Sequence, residues 1–265
     1  MLEIAAYEAR KRLRGAAAMA ALLGVAAAFF VSVYPSFAVS LTPEQLDQLL
    51  SAYPDALMEA FNVRSLTTIE GFLATELYTA GWMLLVGIYV AYAAAGVVAD
   101  DVDRGHIDLL LSLPVSRARL VAEKFAALLV PIVAINVTTP VVVVVASSAV
   151  GYPVDVVAVA MMHLLSIPYL LCCAAIGLTL SVSVDRASTA QRGALGVVFG
   201  LYLLETVVSG ADYAWVGNVA PMRYLDPNAI LLDHTYDLVG AGVLLGAAVV
   251  LVAASQLWFS RRDLS

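Results

Sequence analysis

The chain has 265 residues, of which 62% are hydrophobic and 13% charged, with a formal net charge of −7. Water-soluble domains carry about 25% charged residues, and the mean hydropathy here is +0.90, so the composition excludes a soluble globular protein and makes lipid the solvent. The acidic balance offers no basic surface to nucleic acid, and six spans leave no room for a sizeable soluble domain, so residues 1–265 read as one membrane domain.

The expected fold is an all-α polytopic membrane protein with six transmembrane helices. Leu2 to Arg14 places Leu2, Ala5, Ala6, Ala9 and Leu13 on one helical face and Arg10, Lys11 and Arg14 elsewhere, the pattern of a short interfacial helix. Spans are predicted over 15–39, 77–99, 120–150, 156–184, 190–208 and 238–259; about 20 residues cross a hydrocarbon core of about 30 Å. Between the first two spans, Thr42-Pro43-Glu44 reads as a helix start, with Leu46, Leu49, Leu50, Leu57 and Phe61 on amphipathic outer helices. Pro131, Pro140 and Pro168 predict kinks. The mixed region 209–237, with Pro221 and Pro227, predicts short outer or re-entrant helices.

Charge sets the orientation. Of the 14 Lys and Arg residues, all but Arg64 and Arg223 fall at the ends of the chain, in alternate gaps or, as Lys124 and Arg192 do, in the first turns of the spans that follow those gaps. Cationic loops resist translocation, so both termini are expected in the cytoplasm of a cell-membrane protein. Cys172 and Cys173 are adjacent inside an apolar run and read as packing residues rather than as a disulfide or a metal site.

Catalytic and nucleotide-binding signatures are absent from the sequence. No G-x-x-x-x-G-K-[ST] occurs, so ATP is expected on another chain, and no catalytic, cofactor-binding or metal constellation is predicted. His163, in the fourth span, reads either as a cargo contact on a pathway or as a neutral ring bonded to a neighbouring helix. Glu205, near the outer end of the fifth span, reads either as lining an exit path or as an interfacial carboxylate. Asn136 suits a bond between helices, and Glu76 falls just outside the second span.

The most specific segment is the inner gap from Asp100 to Leu120. Ile107, Leu110 and Leu111 recur at i, i+3, i+4, which predicts a short helix with one apolar face, stopped by Pro114. It is too short to cross a bilayer. Such a face either fits a partner's groove or lies against the membrane or the protein's own spans.

Gly105 through Lys124 resembles the signature of ABC-2 type transporter permeases. In that family an acidic stretch after the second span is followed by a turn, a Leu-Leu-Ser run, Pro-Val-Ser-Arg and a later lysine. Here Asp108, Leu110-Leu111-Ser112, Pro114-Val115-Ser116-Arg117 and Lys124 take those places, and His106 replaces the usual Thr. Trp258-Phe259-Ser260-Arg261-Arg262-Asp263-Leu264 and Tyr224-Leu225-Asp226-Pro227 are similar to the family's ending and to its approach to the last span. Within the family the chain most resembles small permeases linked to multicopper enzyme maturation.

The resemblance implies a non-enzymatic permease subunit of an ATP-binding-cassette exporter. Two such subunits would form the path, and separate ATPase subunits would dock beneath them. The short inner helix would be the coupling helix, with Arg104, Gly105, Ile107, Asp108, Leu110, Leu111, Pro114 and Arg117 at the ATPase contact. The alternative is a membrane scaffold or assembly factor for an extracytoplasmic enzyme. An ion-coupled carrier or intramembrane enzyme is disfavoured by the lack of paired carboxylates at mid-depth. An apolar or lipid-linked cargo suits spans built from Ala, Val, Leu and Gly.

Overall fold

A computed structural model of the chain describes residues 3–40, 66–106, 115–211 and 213–262. Among these residues the regular structure is helical, and six helices are long and apolar enough to cross a membrane. They are α1 (Glu3–Ser40), α2 (Ile69–Asp103) and α3 (Arg117–Ala149), α4 (Val156–Ser183), α5 (Ala187–Val208) and α7 (Leu238–Arg261). A short α6 (Pro227–Leu231) precedes α7. The expected outer helices around Leu46, Leu49, Leu50, Leu57 and Phe61 lie outside the described residues.

The bundle is built around two helices. In α2 and α4, 67% and 61% of the most apolar window is buried, against 22–33% in the other four. Helix α5 and α4 pack on α2, α7 packs on α4, and α1 packs along α3. Small residues allow the central approach: a Cβ at Gly177 of α4 would run into the Ala91 carbonyl and crowd the Ala94 side chain of α2. In lipid, where apolar burial drives little association, such close backbone contact supplies the packing energy. Ser181 completes the seam, its Oγ accepting from Val98 N at 2.9 Å and Ala99 N at 3.0 Å.

Helix α1 runs 38 residues without a break, about 57 Å at 1.5 Å per residue. Residues 3–14 are thus continuous with the span that follows. The Ala-rich sequence after Gly15 has only Gly24 as a weak point before Pro35, and Ala favours the helix more than any other residue. In α3 the predicted proline effect is local. Pro131 has no N–H and its ring opposes the carbonyl four residues earlier, and the helix loosens at Ala127–Leu128. There Leu128 N bonds the Phe125 carbonyl at 2.9 Å and Val130 N the Ala127 carbonyl at 3.4 Å.

Helix α2 departs from regular α geometry. It begins at Ile69, earlier than its apolar run suggests, because Thr68 caps it: the Oγ1 accepts from Gly71 N at 3.2 Å. Residues Ala74–Val86 wind in wide π turns before α geometry resumes at Gly87. At that junction Gly87 N points to the Leu84 and Trp82 carbonyls, which leaves the Met83 carbonyl for another donor. Tyr169 of α4 supplies it, its hydroxyl donating at 2.6 Å. A Cβ on Gly87 would fall 2.6 Å from that hydroxyl oxygen, so glycine is what admits the ring.

The region after α5 forms two 3₁₀ turns, Ala214–Val219 and Pro221–Tyr224, then α6. Asp226 starts α6, its carboxylate accepting from Asn228 N at 2.9 Å, with Pro227 at the first helical position.

Candidate functional site

At the end of the bundle where α1 begins and α7 ends, the residues flanking the α2–α3 loop converge. Helix α2 stops in a Schellman motif: Gly105 N bonds the Val102 carbonyl at 3.1 Å and His106 N the Asp101 carbonyl at 2.8 Å. The motif needs a left-handed residue just past the helix, and Gly105 provides it at φ +69°. Arg104 is the preceding C-cap residue. On the other flank Ser116 caps α3, its Oγ accepting from Arg119 N at 3.3 Å. The serine of the Pro-Val-Ser-Arg motif thereby has a structural task. Ile107, Asp108, Leu110, Leu111 and Pro114 lie outside the described residues.

Both flanks are fastened to the rest of the bundle. Lys124 of α3 is 2% exposed. Its Nζ lies 2.8 Å from Glu8 Oε1 of α1 and 2.6 Å from Asp101 Oδ2 of α2. An unpaired buried ammonium is costly; two carboxylates make this one the hub of three helices. Its neighbour Glu123 accepts from Ala5 N at 3.1 Å and from Arg119 Nε at 2.6 Å. Asp103 accepts from Ala187 N at 3.2 Å, serving as the cap that Arg186 cannot provide for α5. The C-terminal arm closes the ring. Arg117 donates to the Arg262 carbonyl at 2.5 Å, Arg262 donates to the Val182 carbonyl at 2.6 Å and pairs with Asp185, and Gln256 Nε2 reaches the Ala118 carbonyl at 3.2 Å.

A second polar cluster sits at membrane depth towards the opposite end. His163 of α4 is 2% exposed and lies 3.2 Å from both Tyr78 Oη of α2 and Asn136 Oδ1 of α3. The network assigns the tautomer. Asn136 Nδ2 donates to the Ile132 carbonyl at 2.8 Å, so Oδ1 is the acceptor, shared with the Ser166 hydroxyl at 2.8 Å. His163 Nδ1 therefore carries the proton, and Nε2 accepts from Tyr78. The Trp82 ring stands edge-on to the imidazole at 4.6 Å between centroids. A groove of about 470 Å³ between α3 and α4, walled by Val137, Val141 and Leu164, reaches this cluster at Asn136 and His163.

Glu205 is placed elsewhere. It pairs with Arg223 at 3.2 Å, and Arg223 also donates to the Ala214 carbonyl at 2.8 Å, so the pair fastens the 3₁₀ turns to α5. Gly217 lies against the pair, where a Cβ would clash with both side chains. Glu205 is not among the residues walling the groove that His163 reaches. Cys172 and Cys173 are buried in α4 as free thiols.

Of the residues that the sequence singles out, Arg104, Gly105, Arg117 and Lys124 lie on the flanks of the α2–α3 loop, and His163 and Asn136 share the buried polar cluster. Sequence reasoning missed Glu8 as the partner of Lys124 and Arg262 as a strap. A lysine at the inner edge of an apolar run is the available signal, since it demands a counter-charge; which acid answers it is a tertiary fact.

In comparison with known proteins, residues 2–264 match the family model described as ABC-2 family transporter protein. No curated protein matches the chain.

Proposed function

Because the chain belongs to the ABC-2 family of transporter proteins, we propose that it works as the membrane half of an exporter driven by a separate ATPase. It is a multi-pass permease subunit with its basic end in the cytoplasm of the cell membrane. Two copies, or this chain and a related one, form the path. The loop between α2 and α3 is the lever on which the ATPase acts, with Ile107, Leu110 and Leu111 buried in the partner's groove and Asp108, Arg104 and Arg117 fixing the register. Pro114 ends the lever helix.

The observation that carries this reading is the fastening of both flanks of the loop. A lever transmits force only if its roots are stiff, and here Asp101 and Lys124 join the two roots directly, 2.6 Å apart. A push on the loop thus moves α2 and α3 together, with α1 drawn along through Glu8. At the far end α2, α3 and α4 are held by Tyr78, Asn136 and His163. A path opening beside α2 must break the Tyr78–His163 bond or carry α4 with it, which is how His163 enters the pathway. Glu205 enters through the outer turns that it fastens.

The test is co-purification of the permease with a co-expressed candidate ABC ATPase subunit. Leu110→Asp is expected to insert normally and to lose the partner, because a carboxylate replaces an apolar anchor. A Leu110→Asp subunit that retains the ATPase at wild-type yield overturns the lever assignment.

A further inference from the structure

One charged surface takes no part in the lever: the exposed face of the first turns of α1. At 100° per residue Tyr7, Arg10, Lys11 and Arg14 share an arc of about 100°. All four are exposed, Tyr7 at 68%. The three cations form no ion pair among the described residues. The opposite face is occupied, since Ala5 N is bound by Glu123 and Glu8 by Lys124.

We infer that this face docks the anionic headgroups of phospholipids in the leaflet at the basic end. The same strip of α1 continues as Leu22, Val25 and Phe29, which are 63%, 69% and 62% exposed in the middle of an apolar run. A strip that is apolar at mid-depth and cationic just beyond follows the profile of a bilayer, from hydrocarbon to headgroup. Ala16 to Tyr34 carries no charge, and about 20 residues fill the hydrocarbon core. Arg14, Lys11 and Arg10 then fall within the first two turns outside it, at headgroup level, with the amphipathic Tyr7 ring beside them. A second copy seated on this strip through a twofold axis would set its cations against these, and like charges oppose such a contact. Anionic lipid supplies the missing counter-charge. Because Glu8 leaves the same turns to grip Lys124, lipid held here also steadies the root of α3.

The test uses the full-length permease in nanodiscs of equal phosphatidylglycerol and phosphatidylcholine, with retained lipids counted by native mass spectrometry. No nucleotide or ATPase is present, so failure here is separate from failure of the lever. Phosphatidylglycerol is expected to be enriched on the wild-type protein. Each cation near an anionic surface contributes about a fivefold preference, so Arg10→Gln/Lys11→Gln/Arg14→Gln lowers the enrichment by about 100-fold. If the triple variant fails to insert, the single changes Lys11→Gln and Arg14→Gln carry the test at about fivefold each. On the wild type, about 1 M salt, which cuts the screening length to about 3 Å, is expected to erase the preference. Equal retention of both lipids by the wild type overturns the inference. So does undiminished enrichment in the variants.

Discussion

Lys124→Met probes the three-helix hub most sharply. Methionine has a similar length and fills the same space, so the change removes charge without opening a cavity. What it leaves is Glu8 and Asp101, with side chains 9% and 16% exposed, facing a site that held the ammonium 2.8 and 2.6 Å away. Removing one partner of a buried ion cluster costs up to about 3–5 kcal/mol, because Asp101 keeps its desolvation penalty without the ammonium and Glu8 retains only Arg12, 3.8 Å away. For a chain of this size about 1 kcal/mol moves Tm by about 2–4 °C, so thermal unfolding in detergent, followed by tryptophan fluorescence, should fall by up to roughly 6–20 °C. Neutralising all three positions, as Lys124→Met/Glu8→Gln/Asp101→Asn, should recover most of the loss, since a neutral replacement of a buried ion cluster is often tolerated. Acidification should narrow the deficit of the single variant, because a protonated acid needs no counter-ion. A single variant as stable as the wild type would refute the hub. A triple variant as weak as the single would show that the loss comes from packing and not from stranded charge.

Tyr169→Phe should cost about 1–3 kcal/mol by leaving the Met83 carbonyl unpaired, read as a lower Tm with helix content unchanged by circular dichroism. Gly177→Val, which sets a side chain against the Ala91 carbonyl, should cost at least about 1–3 kcal/mol by overpacking and should broaden the gel-filtration peak; a stable, monodisperse variant would contradict the α2–α4 seam. Asp155 caps α4, and the N–H of Ala158 donating to its carboxylate holds its pKa below the usual carboxylate value. A depressed folded pKa means that this stabilisation is present above about pH 4, the ordinary Asp value, and is lost as pH falls through the folded value. Asp155→Asn should keep a cap and lose that pH dependence, and unchanged acid sensitivity in the variant would count against it.

The six spans were legible because each is an apolar run long enough for a bilayer and bounded by charge, proline or glycine. Their ends were less so: α2 begins at Ile69 because Thr68 caps a stretch of mixed polarity, and hydropathy is blind to a cap. The wide turns of Ala74–Val86 leave no periodic mark in the sequence, and the Gly87–Tyr169 fit that supports their end joins residues distant in the chain. At the basic end, Lys124 was visible as a motif position and Arg262 as part of a charged ending. Glu8 lies 116 residues from Lys124 and Arg262 80 residues from Val182. Nothing local announces such pairings, although the need for a counter-charge does. Ser116 and Gly105 were visible as a motif serine and a glycine turn, and the structure supplies their tasks as a helix cap and a left-handed stop.

The central claim is that a nucleotide-hydrolysing partner grips the α2–α3 loop. A photo-cross-linking amino acid placed at Leu110, irradiated in membranes in which the chain is co-expressed with a candidate ABC ATPase, tests it most directly. The account predicts an adduct joining the permease to that ATPase, with no adduct when the same group replaces Val25 on the exposed apolar strip of α1. Cross-links from Leu110 to lipid alone, or an ATPase adduct formed only from the Asp185–Arg186 turn, would contradict it.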